Sequence, residues 1–169
     1  MRWLVDGYNV IRCAPTLAAR ERESLEAGRD ALCHLLATAA RGSGDQFTVV
    51  FDGARPGGAS GGPGVRVIFS SARETADGVL ARLASRGTAV VSNDHEVRQA
   101  AARAGAIAVP ADAFLARLSR RGGPRIPMKD EEEDAAPAPK KGNPRRLPKK
   151  ARAAARALGR LGQSPRRFS

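Results

Sequence analysis

Asp6, Asp52, Asp77 and Asp94 are remote from one another in the sequence, yet each lies at or close beyond the end of a short apolar, β-rich run. Carboxylates gathered within a few ångströms repel one another, and a protein tolerates the cluster when a cation neutralises it. A set of oxygen donors with no cysteine or histidine suits a hard ion, Mg²⁺ or Mn²⁺. Such an ion lowers the pKa of a bound water, aligns it with a phosphodiester and neutralises charge on the leaving oxygen. The chemistry that follows is phosphodiester hydrolysis. Each acid taken singly has an ordinary explanation: Asp6-Gly7 and Asp52-Gly53 are turn dipeptides, Asn93-x-x-Glu96 and Ser71-x-x-Glu74 fit a capping box, and Asp77 is favourable in a helix first turn. It is the set of four that points to a metal.

The elements that must position these acids alternate between short strands and helical patterns. Residues 3–5, 47–51, 65–69, 89–91 and 106–109 read as strands, and residues 17–41, 75–86, 95–104 and 111–119 as helices. Strands joined by helices run parallel, because a tight hairpin cannot connect parallel neighbours. The expected fold is α/β: a three-layer sandwich around a mainly parallel sheet of about five strands. In such a sheet ligands bind beyond the carboxyl ends of the strands. Asp6 and Asp52 close the first and second strands, Asp94 follows the fourth, and Asp77 opens the helix after the third. The segment from Gly53 to Gly64 is rich in glycine and proline, has no helical pattern and reads as a mobile loop.

A chain of 169 residues has room for one core plus a tail. No stretch approaches the roughly 20 apolar residues of a membrane span, and Met1 runs directly into a strand without a leader, so a cytoplasmic location is expected. Cys13 and Cys33 have neither zinc nor disulfide spacing, and His34 and His95 read as packing or surface residues. The net charge of +12 is uneven: residues 1–139 contribute +1 and residues 140–169, with 11 Lys and Arg and no acid, contribute +11. The expected organisation is one folded domain that carries the four acids over 1–121, an acidic and Pro/Ala-rich linker over 122–139, and a basic tail over 140–169, disordered or partly helical. Within the tail, residues 151–161 carry a helical pattern with Arg152, Arg156 and Arg160 on one stripe. Lys140, Lys141, Arg145, Arg146, Lys149, Lys150, Arg152 and Arg156 are the candidate charges of the tail for binding a polyanion.

Asp6-Gly7-Tyr8-Asn9, Val50-Phe51-Asp52-Gly53, Glu74-Thr75-Ala76-Asp77 and Val91-Ser92-Asn93-Asp94 occur in the order and strand register of the YacP-like NYN domain family, and the chain resembles that family over about residues 1–119. The family belongs to the PIN-like nucleases, and one of its members is a ribosome-associated endoribonuclease. The resemblance implies that Asp6, Asp77 and Asp94 are the main metal-binding carboxylates, with Asp52 as a further acid. Asn9 and Asn93 would line the site by hydrogen bonding to a ligand oxygen or to metal-bound water, or Asn9 would brace the loop after the first strand. Glu74 is an outer acid or a cap, Ser92 and Thr75 support the ligands or cap helices, and Arg55, Arg66 and Arg73 near the rim could hold phosphates. Tyr8 could stack on a base or pack.

The implied function is a Mg²⁺- or Mn²⁺-dependent endoribonuclease with a water nucleophile, giving 5′-phosphate and 3′-hydroxyl ends, with RNA as substrate and the ribosome as a further partner. An RNA- or ribosome-binding module with an unused acidic site is the rival from another class. A haloacid-dehalogenase-type phosphatase is disfavoured, since Asp6-Gly7-Tyr8 lacks the second aspartate two residues on. A nucleotide-binding domain is disfavoured by the lack of a phosphate-binding loop or dinucleotide fingerprint after the first strand.

Overall fold

The computed structural model describes residues 1–41, 43–53, 61–120 and 148–163. Five strands, β1 (Arg2–Asp6), β2 (Gln46–Phe51), β3 (Val65–Phe69), β4 (Thr88–Val91) and β5 (Ile107–Val109), form one sheet in the order β3-β2-β1-β4-β5. Every pairing is parallel, as expected from the strand–helix alternation and extending to β2 with β3, between which the sequence shows no helical pattern. The N-terminal strand is therefore central, and the chain builds outward from it on both sides.

Side chains alternate across the sheet and divide the core in two. Trp3, Val5, Phe47, Val49, Phe51, Ala89 and Val91 face one layer of helices: α1 (Gly7–Cys13), α2 (Pro15–Glu23), α3 (Leu25–Ala40), α6 (Ala111–Ser119) and α7 (Lys149–Arg160). Leu4, Val50 and Val90 face the other layer, α4 (Ala76–Leu83) and α5 (His95–Arg103). The architecture is the expected three-layer sandwich.

Three features differ from the sequence reading. A helix, α1, follows β1 at once. It starts at Gly7 because the Asp6 side chain accepts the Asn9 N–H as an N-cap, where a turn was expected from the Asp-Gly pair. A Cβ on Gly7 would stand 2.3 Å from Phe51 Cε1, so close packing on the neighbouring strand also selects glycine there. The helix expected over 17–41 is broken in two: Pro15 opens α2, and Ser24 leaves helical geometry and caps α3 by accepting the Ala27 N–H.

The third difference lies near the C-terminus. A helix forms where the arginine stripe foretold one, but α7 is docked on the domain that was expected to end at residue 121. Ala154, Ala157 and Leu161 are buried in the larger core cluster. The Arg117 guanidinium donates to the carbonyls of Leu158 (2.8 Å) and Gly159 (3.3 Å), satisfying acceptors that a helix end leaves open. The buried Asp45 carboxylate accepts from the Met1 ammonium (3.0 Å), Trp3 Nε1 (3.2 Å) and the Gly162 N–H, tying β1, the turn before β2 and the end of α7 together. Lys149, Lys150, Arg152 and Arg156 stay exposed. The acidic linker and Lys140, Lys141, Arg145 and Arg146 lie outside the described residues, as do Arg55 and most of the loop expected between Gly53 and Gly64.

Candidate active site

All four aspartates reach the carboxyl edge of the sheet by different local devices. Asp6 is the last residue of β1 and the N-cap of α1. Asp52 follows β2 directly, and its Oδ1 accepts from Ser70 Oγ at 2.5 Å. Asp77 is the second residue of α4, behind the Thr75 cap that accepts the Gly78 N–H (3.2 Å). Asp94 is the N-cap of α5 and accepts the N–H groups of Glu96 (2.7 Å) and Val97 (3.2 Å) through Oδ1. The cap is thus Asp94 where the capping-box pattern named Asn93.

The four line one cleft of about 740 Å³, together with Tyr8, Asn9, Arg12 and Arg29. Electrostatics reports the same convergence. Burial raises the pKa of Asp6 above the ordinary carboxylate value, against hydrogen bonds from Ser92 and Asn9, and the charges of Asp77 and Asp94 raise it further. Partial burial also raises Asp77, and Asp94, Asp52 and Glu96 add to the rise. The Asp77 carboxylate accepts no hydrogen bond among the described residues.

Ser92, fully buried, links two of the acids: its Oγ donates to Asp6 Oδ2 (2.9 Å) and accepts the Asp94 N–H (3.0 Å). Asn9 braces the same loop, its Oδ1 accepting the Asn93 N–H at 2.8 Å, while still bordering the cleft. The Asn93 side chain turns away, with Oδ1 accepting the Ala111 N–H (2.8 Å) and Nδ2 donating to Cys13 Sγ (3.2 Å). It therefore positions α5 and α6 and is not on the cleft wall. Glu74 pairs with Arg82 at 2.9 and 3.0 Å, which holds its pKa low, and it too lies off the wall. Arg66 and Arg73 are exposed and do not border the cleft.

Sequence reasoning missed Arg12, Arg29 and Ser70. Nothing in the pattern marks them, since two sit inside helices and Ser70 just follows a strand.

The donor chemistry suits a hard divalent ion: the wall offers four carboxylates, of which that of Asp77 accepts no hydrogen bond among the described residues, and their mutual repulsion disfavours full ionisation without a cation. Among the described residues, no three histidine, cysteine or acidic side chains stand close enough to enclose an ion as they are. Asp6 and Asp94 are each held by capping bonds, so ion binding entails side-chain adjustment, for which Asp77 is the least restrained.

The fold has solved relatives. Two crystal structures of Rae1 (YacP) from Bacillus subtilis, one of them a point mutant, superpose with a TM-score of 0.61 each. The mutant is 29% identical, covering 71% of this chain and 75% of that one; the other is 28% identical, covering 71% and 74%. A search of curated proteins gives no match. The model of the YacP-like NYN domain matches residues 3–154, from the central strand into the docked C-terminal helix, and the chain belongs to the YacP-like NYN domain family.

Proposed function

We propose that this protein is a Mg²⁺- or Mn²⁺-dependent endoribonuclease whose cleft hydrolyses RNA phosphodiester bonds. NYN domains are generally nucleases, and membership of the family supports a hydrolase acting on nucleic acid. The observation that carries the reading is the meeting of Asp6, Asp52, Asp77 and Asp94 in one cleft at the carboxyl edge of the sheet.

Asp6, Asp77 and Asp94 would hold the ion, with Asp52 as a further acid of the same cleft. When bound, the ion would supply charge neutralisation for the phosphodiester and a nucleophilic water at neutral pH. Ser92 keeps Asp6 and Asp94 in register by hydrogen-bonding both segments, and Asn9 fixes the loop that carries Asp94. Ser70 orients Asp52. These bonds fix the strand and helix ends that carry the acids, so the adjustment that ion binding requires falls on the side chains.

The exposed cations of α7 are proposed to attract the RNA backbone, and the ribosome is the proposed partner that presents the substrate. No described helix is long and apolar enough to cross a membrane, and a cytoplasmic setting completes the proposal. Incubating the purified protein with labelled RNA pools and with ribosomes tests it. Cleavage with Mg²⁺ or Mn²⁺ and none with chelator is the expected result. RNA retained but uncut under every metal condition would replace it with the reading of an RNA-binding module, which the open spacing of the acids favours.

A further inference from the structure

Among the described residues, Arg29 of α3 is the only buried lysine or arginine, at 3% exposure. Its guanidinium carbon lies 5.5 Å from the centre of the Tyr8 ring, 5.6 Å from Phe51 and 5.1 Å from Phe69. Nε (2.9 Å) and Nη2 donate to the Tyr8 hydroxyl. Three ring faces and one phenol oxygen hold the plane of the group. No carboxylate of the described chain pairs with it, and Nη1 makes no hydrogen bond there.

A buried cation without a counter-charge is costly, and folds keep such groups where an anion completes them. Arg29 borders the cleft that holds the four aspartates. Those aspartates are the expected seat of a metal, which leaves Arg29 open to an anion other than a described carboxylate. A planar guanidinium fork matches two oxygens of a phosphate. Arg12 lies over the Tyr8 ring at 5.5 Å and also borders the cleft, with Glu21 3.6 Å from its Nε, so two arginines and four aspartates share one lining.

We propose that Arg29, locked by Tyr8, Phe51 and Phe69, is the seat for a backbone phosphate of single-stranded RNA one or more nucleotides away from the bond that is cut. The proposal rests on the RNA-cleaving reading of the cleft. Tyr8 then serves as the holder of the arginine, with its ring packed edge-on against Phe51 at 5.2 Å, which leaves no need for it to stack on a base. The alternative is that Arg29 only offsets the acidic wall. In that case its loss weakens folding, and any effect on RNA is the same for every phosphate.

A phosphate scan separates the two. A fluorescein-labelled single-stranded 2′-O-methyl RNA is prepared as a series, each member carrying one uncharged methylphosphonate. Binding is followed by anisotropy in the Asp77→Asn background, with Arg29 intact, Arg29→Lys or Arg29→Met. With Arg29 intact, one position away from the cut bond should lose about tenfold in affinity when neutralised. The same neutralisation should cost under about twofold in Arg29→Met, because the partner is already gone. Equal penalties in both proteins at every position would overturn the subsite. If Arg29→Met fails to fold by its melt, Arg29→Lys decides, since it keeps the charge and loses the fork: the penalty should shrink at that one position, and an unchanged profile overturns the proposal. A wild type that cleaves with metal but shows no coupling loses the subsite alone. A wild type that binds and never cleaves loses the hydrolytic reading, while the coupling still decides whether Arg29 seats a phosphate.

Discussion

Replacing Leu161 with alanine is expected to lower the melting temperature by roughly 4–12 °C. Leu161 closes α7, is fully buried, and belongs to the same core cluster as Trp3 and Phe114. Truncating a buried leucine removes transfer energy and leaves a cavity, together about 2–5 kcal/mol, and the low half of that range applies where a helix end can settle inward. Taking about 2–3 kcal/mol, at about 2–4 °C per kcal/mol for a chain of this size, gives the stated shift. The assay is a thermal melt followed by circular dichroism, paired with a urea titration in which the midpoint falls and the slope is kept. Arg160→Ala, on the exposed side of the same helix, is the control and should change stability by about 0.5 kcal/mol or less. A Leu161→Ala protein that melts with the wild type would refute the docking of α7 and return residues 149–160 to an unfolded tail.

Gly7→Ala should destabilise even though glycine is a poor helix former: the new Cβ meets Phe51 at 2.3 and 2.4 Å, and overpacking of about 1–3 kcal/mol outweighs a propensity gain of at most about 1 kcal/mol. A melt at or above the wild type would contradict this. Millimolar Mg²⁺ or Mn²⁺ should raise the wild-type melting temperature, by the equivalent of about 2.7 kcal/mol at 100 times Kd; without metal, Asp77→Asn should melt above the wild type and gain less from the ion, and identical responses would separate Asp77 from the ion. Burial, with a smaller push from Asp30, raises the Cys33 thiol from 9.0 to about 11. The unfolded chain ionises this thiol first, so its contribution to stability is whole below pH 9 and is lost as pH climbs towards 11; Cys33→Ser should flatten that part of the stability curve, and native Cys33 should resist iodoacetamide at pH 8 until the protein unfolds. Substituting Arg152 and Arg156 with glutamine should reduce the salt dependence of log K for RNA by a slope of roughly 1.4, and superimposable curves would remove α7 from RNA binding.

The strands and their parallel direction were legible because the β-rich runs, the second and third excepted, are separated by helical patterns, and the four acids could be placed because strand ends are where such a sheet presents its ligand groups; the order of the strands in the sheet was not predicted. What was not legible depends on partners distant in sequence. Asp6-Gly7 reads as a turn until Phe51 is placed against Gly7, and only then is α1 explained. The break at Ser24 is a single cap inside an otherwise helical stretch. Ala154 and Ala157 are small, so their burial left no apolar run, and the arginine stripe of the same helix dominated the pattern. Asn93 and Glu74 stand in motif positions but are taken up by Ala111, Cys13 and Arg82, which sequence spacing cannot show. Arg29 is one arginine in a helical run, and its burial among three rings emerges only from the fold.

The most direct test of the central claim compares RNA cleavage by wild type and Asp77→Asn at saturating enzyme, with Mg²⁺ or Mn²⁺. Asparagine keeps the shape of a residue that accepts no hydrogen bond among the described residues, so fold and RNA affinity should be retained. The wild type should cut with either ion and stop with chelator, and the variant should be slower by orders of magnitude. A folded Asp77→Asn protein that cuts at the wild-type rate would contradict the account.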